Sequence, residues 1–147
     1  MATVRMMTIA DYDAVFALWL NTPGMGLNTT DDSREGIEKY LKRNPNSCFV
    51  AEVDGKIVGV IMAGHDGRRG FIHHTAVLPE YRNQGIAKQL VEHAIAALDA
   101  EGIQKVGLVA FQTNEIGNGF WERVGFDRRD DIVYRSKFIH PLTKIDT

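Results

Sequence analysis

Apolar residues recur along the chain with two different periods, one typical of helices and one typical of strands. Four segments carry apolar side chains three or four positions apart, which predicts helices beginning near residues 11, 33, 85 and 114. Other runs are rich in β-branched and aromatic residues and predict strands over residues 4–8, 47–53, 56–63, 71–77, 106–110, 127–134 and 137–139. The chain therefore predicts a mixed α/β fold.

The order of these elements predicts the topology. Asp54-Gly55 joins two strand candidates and is a strong signal for a two-residue hairpin. The helix after Gly85 connects the strand at 71–77 to the strand at 106–110, and such a crossover makes the two strands parallel. We expect a single domain over residues 1–147, built as a mixed sheet with helices on both faces.

Composition argues against several classes of function. The chain has 147 residues, and its 17 basic and 19 acidic side chains leave a net charge of −2, with no basic stripe for nucleic acid. The apolar runs are too short to span a membrane. Cys48 is the single cysteine and has no partner at zinc spacing, so neither a disulfide nor a metal site is predicted. The first residues lack the hydrophobic region of a signal peptide, and a reducing cytoplasm is the expected compartment.

The junction between the strand at 71–77 and the next helix has the features of an anion site. Gly85 opens the helix, and Arg82 lies three residues before it. The first N–H groups of a helix have no internal partner, and the helix dipole favours negative charge there. A glycine also lets the backbone approach a ligand closely. Neither the dinucleotide fingerprint nor the Walker loop is present, so the residues alone leave the anion open.

Two motifs at this junction and beyond it resemble those of one family. Residues 82–87, Arg-x-x-Gly-x-Ala, resemble the pyrophosphate loop of the GNAT superfamily of acyl-CoA-dependent N-acetyltransferases, and residues 76–82 resemble its lead-in. Residues 114–126 resemble the second motif of the family, with Gly117 and Trp121 replacing its usual alanine and tyrosine. The resemblance covers about residues 4–138. It implies a mostly antiparallel twisted sheet of six to seven strands, whose fourth and fifth strands splay apart around the cofactor.

The resemblance also implies roles for individual residues. Acetyl-CoA is the implied cosubstrate, with its pantetheine arm on the backbone of Thr75 and Val77 and its thioester oxygen on the Thr75 N–H. The other implied cofactor-binding residues are Ala76, Arg82, Asn83, Gln84, Gly85, Ile86, Ala87, Lys88, Asn114 and Trp121. For Asn114 the structural alternative is a helix N-cap. Trp121 lies either beside the cofactor sulfur or in the core.

The general base is not obvious, because Phe71 stands where many family members carry a glutamate. Strand alternation places Phe71, His73 and Thr75 on one face and His74 on the other. His73 is therefore the predicted general base, and its position resembles that of a histidine proposed as base in arylalkylamine N-acetyltransferases. The alternative is that His73 is structural and that the amine loses its proton to water.

The usual general acid is also missing, since indole cannot replace the tyrosine at position 121 in that role. A thiol has a pKa of about 8.5, so the thiolate leaves without much need of a proton. Tyr134 is the other phenol to consider. Holding two substrates in line is worth up to ~7–11 kcal/mol, so missing acid and base groups need not abolish catalysis.

The predicted function is transfer of an acetyl group from acetyl-CoA to a primary amine, by direct attack in a ternary complex. The acceptor is an unidentified small molecule, peptide or protein. The alternative is a catalytically degenerate module that binds acyl-CoA as a sensor or for interaction. Asp31, Asp32 and Glu35 near the expected acceptor side would attract a cationic amine, unless they are simply solvated. The oligomeric state, monomer or homodimer, stays open.

Overall fold

The structure is a computed structural model that describes residues 1–145. Its sheet has five strands in the order of the chain. They are β1 (Thr3–Met6), β2 (Phe49–Val53), β3 (Lys56–His65), β4 (Gly70–Val77) and β5 (Val106–Leu108). Strands β1 to β4 pair antiparallel, and β4 pairs parallel with β5. The predicted mixed sheet with a helical crossover before its last strand is confirmed.

Helices connect and cover these strands. They are α1 (Tyr12–Leu20), α2 (Arg34–Arg43), α3 (Ile86–Ala100) and α4 (Glu115–Arg123), with short 3-10 turns at Ile9–Asp11 and Pro79–Tyr81. The predicted N-cap of α2 is confirmed, because the Ser33 hydroxyl accepts a hydrogen bond from the Gly36 N–H at 3.0 Å. The four predicted helices are therefore all present.

Two apolar cores lie on opposite faces of the sheet. On one face α3 packs through residues such as Leu90 against Ile61. On the other face α1 and α2 pack against Val60, next to Ile61 in the same strand, as strand alternation requires. Gly59 permits the close approach of α3, because a β-carbon there would lie 3.1 Å from Leu90 Cδ1. Helices therefore cover both faces, as the sequence predicts.

The strands predicted over residues 127–134 and 137–139 are wrong, and within residues 1–145 the sheet has five strands rather than six or seven. Between residues 127 and 145 the only β-pairing described is an isolated bridge from Lys144 to Asn28. β-propensity reflects the fit of a side chain to a half-buried pleated surface, and Ile132 and Val133 have no such surface because they are exposed. Charged neighbours pair locally instead, as Arg129 does with Asp131 at 2.8 Å.

Strand β4 contains a β-bulge that the sequence did not predict. Its ladder with β3 pairs His73 with Met62 and Ala76 with Val60, so three steps along β4 match two along β3. The extra residue lies at His74, whose φ of +38° is uncommon for a residue other than glycine. Alternation is interrupted there, and the side chains of His73 and His74 both project towards α1 and α2. The prediction that His74 lies on the face of β4 opposite to His73 is therefore wrong.

Candidate active site

Strands β4 and β5, which the α3 crossover connects, separate after a short ladder. The pairing of β4 with β5 runs only from Gly70–Val106 to Ile72–Leu108, while β4 itself continues to Val77. The Leu78 N–H donates to the Val58 carbonyl of β3 at 2.8 Å, so alternation directs the Val77 N–H away from β3 and into the gap. The splay that the resemblance implies is present in the described residues, and it leaves part of β4 as a free edge.

A cavity of about 410 Å³ opens beside this free edge. Its walls are β4, the segment that follows β5, the loop between α1 and α2, and α4. Four of the predicted site residues line it, namely His73, Thr75, Asn114 and Trp121. The structure therefore brings the strand residues and the second motif together around one space.

The predicted anion-binding turn lies at the other end of the free edge. Asn83 and Gly85 have φ values of +62° and +79°, and α3 begins directly afterwards. The first intrahelical bond runs from the Gln89 N–H to the Gly85 carbonyl at 3.0 Å, so the N–H groups of residues 86–88 have no helical acceptor. The first turn of α3 has no acidic residue. These features make the turn a suitable site for an anion.

Arg82 ties the turn to the strand. Its Nε donates to the Val77 carbonyl at 3.1 Å, while the residue as a whole is exposed. Residues 82–88 do not line the cavity, which ends near Thr75. Thr75 at the cavity and Val77 beside the turn are two strand residues apart, about 7 Å. An extended ligand along the edge would therefore reach both the cavity and the turn.

The other predicted cofactor residues differ in what they can offer to a ligand. Asn83, Gln84, Gly85 and Lys88 are exposed and Ala87 is half-buried. The side chains of Ala76, Val77 and Ile86 are buried in the two cores. Those three residues can therefore present only backbone groups, as expected for Val77 and for the helix terminus.

Asn114 and Trp121 have the structural roles considered as alternatives above, a helix N-cap and a packed core ring. Both residues also face the cavity. The Asn114 side chain caps α4 by accepting from the Gly117 N–H at 3.0 Å. A β-carbon at Gly117 would overlap this side chain, which explains the glycine at that position. The Trp121 ring lies 5.0 Å from the Phe120 ring and 5.3 Å from the Phe126 ring. Trp121 is thus packed among aromatic residues while one side faces the cavity.

His73 lies at the rim of the cavity with some of its surface exposed. Its ring is 4.7 Å from the Phe71 ring and 5.8 Å from the Tyr40 ring of α2. This partial desolvation, and secondly the neighbouring His74, lower the pKa of His73 below the ordinary histidine value. His73 is therefore neutral near pH 7 and is also a weakened base.

His74 has a partner that the sequence did not reveal. Its Nε2 lies 2.8 Å from Oδ1 of Asp32, a residue only 3% exposed rather than solvated. The second carboxylate oxygen of Asp32 accepts from the Asn28 N–H at 2.8 Å. The Trp19 indole N–H donates to the His74 carbonyl at 3.1 Å, so a core tryptophan holds the bulge. The two partners are 42 residues apart, and only the bulge turns His74 towards Asp32.

The model of the Acetyltransferase (GNAT) family matches residues 12–126 of this chain. The chain belongs to the GNAT family. An acetyltransferase of Pectobacterium atrosepticum is 32% identical over 136 residues, which cover 92% of this chain and 95% of that protein. The PaiA N-acetyltransferase of Thermoplasma acidophilum, solved in complex with coenzyme A, superposes with a TM-score of 0.77 at 18% identity, covering 88% and 92% of the two chains.

A further GNAT structure is that of AAC(6')-Iy in complex with a bisubstrate analog, CoA-S-monomethyl-acetylneamine. It matches with a TM-score of 0.71 and 20% identity, over 94% of this chain and 99% of that one. These comparisons place the present GNAT protein in the enzyme class of acetyltransferases. The two structural matches, at such low identity, bear on the fold alone.

Three positions of this GNAT protein depart from the pattern implied above: Phe71, Gly117 and Trp121. Phe71 and Trp121 line the cavity. Tyr134, the other phenol considered, is 72% exposed and does not line it. Among residues 1–145 no group of three or more His, Cys, Asp or Glu side chains is placed to hold a metal ion. No helix in the same part of the chain is long and apolar enough to cross a membrane.

Proposed function

We propose that this GNAT protein transfers the acetyl group of acetyl-CoA to a primary amine. The observation that carries the proposal is the gap between β4 and β5, where the ladder stops at Ile72 and Leu108. The gap leaves a strand edge, a cavity beside it, and a helix N-terminus at its end. These three features suit the thioester arm, the reacting groups and the pyrophosphate of one extended cosubstrate.

The pyrophosphate is the most charged part of acetyl-CoA, and we place it at the start of α3. The free N–H groups of residues 86–88 donate to its oxygens, and the helix dipole favours its charge. Arg82 already uses Nε on Val77, which leaves its terminal nitrogens for phosphate oxygens. Lys88 is exposed in the first turn of α3 and adds a second positive charge.

The pantetheine arm then follows the free edge of β4, as an added strand would. The Val77 N–H points into the gap, and Thr75 lines the cavity where the thioester arrives. The Thr75 N–H donates to the thioester oxygen and stabilises the negative charge that develops there. Asn114 and Trp121 complete the wall across from the strand.

The acceptor amine enters the same cavity, so attack is direct and no acyl-enzyme is required. The single cysteine, Cys48, is buried and is not part of the cavity lining, and burial raises the pKa of its thiol to about 12. Holding the amine and the thioester in line lowers the barrier by up to ~7–11 kcal/mol, more than one acid or base supplies. Named relatives support this use of the fold, since two of them were solved with CoA or a CoA-containing analog.

A second candidate function is an acyl-CoA-binding module without turnover. Its support is specific: Phe71 and Trp121 occupy the cavity wall where a carboxylate and a phenol are usual in the family. Both functions require the same cosubstrate site, so binding alone does not separate them.

Two measurements test the proposal, and the second of them separates the two functions. Calorimetric titration should show a much higher affinity for acetyl-CoA than for adenosine. Arg82→Gln should weaken the binding of acetyl-CoA about 10-fold or more, because a charge-assisted contact is lost. The matched control is Arg34→Gln, an exposed arginine that pairs with Asp13 and does not line the cavity. The wild type is then incubated with acetyl-CoA and a panel of amines: spermidine, kanamycin, and peptides with a free N-terminus or lysine.

Thiol release with acetylation of one panel member supports the transferase. Binding of acetyl-CoA without thiol release favours the module instead. Affinity for acetyl-CoA no better than for adenosine would overturn both functions, because the pyrophosphate and pantetheine contacts would then contribute nothing.

A further inference from the structure

We infer that the pair formed by His74 and Asp32 removes the proton from the acceptor amine, so that His74, rather than His73, is the base of the reaction. This inference rests on the proposed function. His74 is the catalytic residue and Asp32 is the positioning residue. Regular alternation along β4 would keep His74 away from Asp32, and the bulge brings the two together.

The first support is the way in which Asp32 is held. The carboxylate is almost fully buried, and each of its oxygens has one partner: Oδ1 faces His74 Nε2 and Oδ2 accepts from the Asn28 N–H, both at 2.8 Å. A backbone N–H can only donate, so Oδ2 acts as an acceptor. The buried carboxylate therefore accepts a hydrogen bond from Nε2–H, which selects the neutral imidazole tautomer with its proton on Nε2.

The second support is the state of the other ring nitrogen. With the proton on Nε2, Nδ1 carries a lone pair and is the basic atom. Within residues 1–145 no hydrogen bond to this atom is formed, and His74 lines the cavity. The imidazole thus offers an unoccupied proton acceptor to a ligand in the same space where Thr75 meets the thioester.

The third support is how firmly the ring is oriented. The Trp19 indole donates to the His74 carbonyl at 3.1 Å, and its ring packs edge-on against the imidazole at 5.1 Å. His73 has no comparable anchor among residues 1–145, where its ring packs against the rings of Phe71 and Tyr40 and lies 6.3 Å from that of His74. A left-handed backbone at a non-glycine residue is kept only where its surroundings require it, and here they orient one imidazole.

Proton transfer to His74 accompanies the attack of the amine on the thioester. The amine nitrogen attacks the thioester carbonyl carbon with its lone pair, and a C–N bond forms while the carbonyl electrons move to oxygen. Nδ1 of His74 takes one proton from this nitrogen as positive charge develops on it. The oxyanion then re-forms the C=O bond as the C–S bond breaks with its electron pair on sulfur, and the proton passes from the imidazolium to the thiolate or to solvent. Asp32 stabilises the imidazolium between these steps. The charged or titratable groups facing the ring are Asp32 and His73.

The tautomer can be measured without turnover. In the ¹⁵N-labelled protein at neutral pH, the long-range imidazole spectrum should show the His74 proton on Nε2. In Asp32→Asn the Asn28 N–H still requires an oxygen, so the amide NH₂ takes the place of Oδ1 and donates to Nε2. The proton of the ring should then move to Nδ1. An Nδ1–H tautomer in the wild type, or no change in Asp32→Asn, overturns the inference.

Kinetics supply the second measurement, with the panel amine that the wild type acetylates. His74→Asn and Asp32→Asn should each lower turnover ~10²-fold, with acetyl-CoA affinity changed by less than about 2-fold. The acidic limb of the wild-type rate profile should be lost in His74→Asn. His73→Asn should lose far less than His74→Asn, and the exposed His140→Asn should keep wild-type turnover and serve as the control.

The outcomes separate the inference from the proposed function. A wild type that binds no acetyl-CoA, or acetylates no amine, ends the proposed function, and the tautomer measurement then decides on the pair alone. A wild type that acetylates an amine, with His74→Asn at wild-type turnover or with the larger loss in His73→Asn, overturns only the assignment of the base.

Discussion

The indole N–H of Trp19 in α1 donates a hydrogen bond to the backbone carbonyl of His74 in β4, with a nitrogen–oxygen distance of 3.1 Å. Trp19 is fully buried, and its ring also packs against the imidazole. This bond connects the helical layer to the one strand position where the sheet is irregular. The core of the protein therefore takes part in shaping its candidate active site.

Replacing Trp19 by Phe tests this connection. The ring contact is largely kept, but the His74 carbonyl loses its partner, and a buried unsatisfied carbonyl costs about 1–3 kcal/mol of unfolding free energy. Urea denaturation should show this loss, whereas Trp121→Phe, at the half-buried cavity wall, should cost clearly less. Equal stability of Trp19→Phe and the wild type would mean that the bulge does not depend on this bond.

The conformation of Gly85 leads to a second prediction. Its φ of +79° disfavours any side chain, and no protein atom lies within 4 Å of a β-carbon built there. Gly67, in the turn between β3 and β4, has a φ of +92° and the same open surroundings, so it is a matched control. Both Gly85→Val and Gly67→Val should strain the backbone by roughly 1–3 kcal/mol.

Only Gly85→Val should weaken acetyl-CoA binding, by about 10-fold or more, because its side chain stands where the pyrophosphate approaches the helix terminus. Calorimetric titration of both variants makes the comparison. If the two glycine variants bind acetyl-CoA equally well, the pyrophosphate does not lie against this turn.

The lowered pKa of His73 predicts how stability depends on pH. Partial burial first, and then His74, keep the folded-state pKa below the ordinary value of about 6.5. As pH falls through the ordinary value of about 6.5, His73 of the unfolded chain binds a proton that folded His73 does not. The unfolding free energy therefore decreases on acidification. The contribution is present above about pH 6.5 and is lost as pH falls through the folded-state pKa.

Urea denaturation between about pH 7.5 and pH 5 measures this effect. His73→Asn should flatten the dependence of unfolding free energy on pH, while the exposed His140→Asn should leave it as in the wild type. A slope in His73→Asn equal to that of the wild type would show that His73 titrates alike in both states.

The exposure of Tyr134 predicts that no tyrosine acts as general acid. Tyr134 is 72% exposed, and none of the described tyrosines lines the cavity. With a thiol pKa of about 8.5 the departing thiolate needs little protonation in the rate-determining step. Tyr134→Phe should therefore acetylate the panel amine at the wild-type rate. A loss of ~10²-fold in turnover, with unchanged acetyl-CoA affinity, would instead identify Tyr134 as an acid.

Local sequence determined most of the architecture, because the signals act over a few residues. Apolar spacing and caps such as Ser33 predicted all four helices, and Asp54-Gly55 predicted the β2–β3 hairpin. The helix that follows Gly85 was predicted in the same way, since a strand, a glycine turn and an amphipathic helix are consecutive in the chain. The resemblance of two short motifs then indicated the family, which the comparison over residues 12–126 established.

Tertiary structure decided whatever depends on partners that are distant in sequence. β-branched residues near Ile132 have strand propensity, but propensity alone provides no neighbouring strand, and the segment stays unpaired with β5. The bulge in β4 arises from its register with β3, and it turns His74 towards a carboxylate 42 residues away. Alternation, a local rule, predicts the wrong face for His74 for this reason: one extra residue in a strand reverses every side chain beyond it.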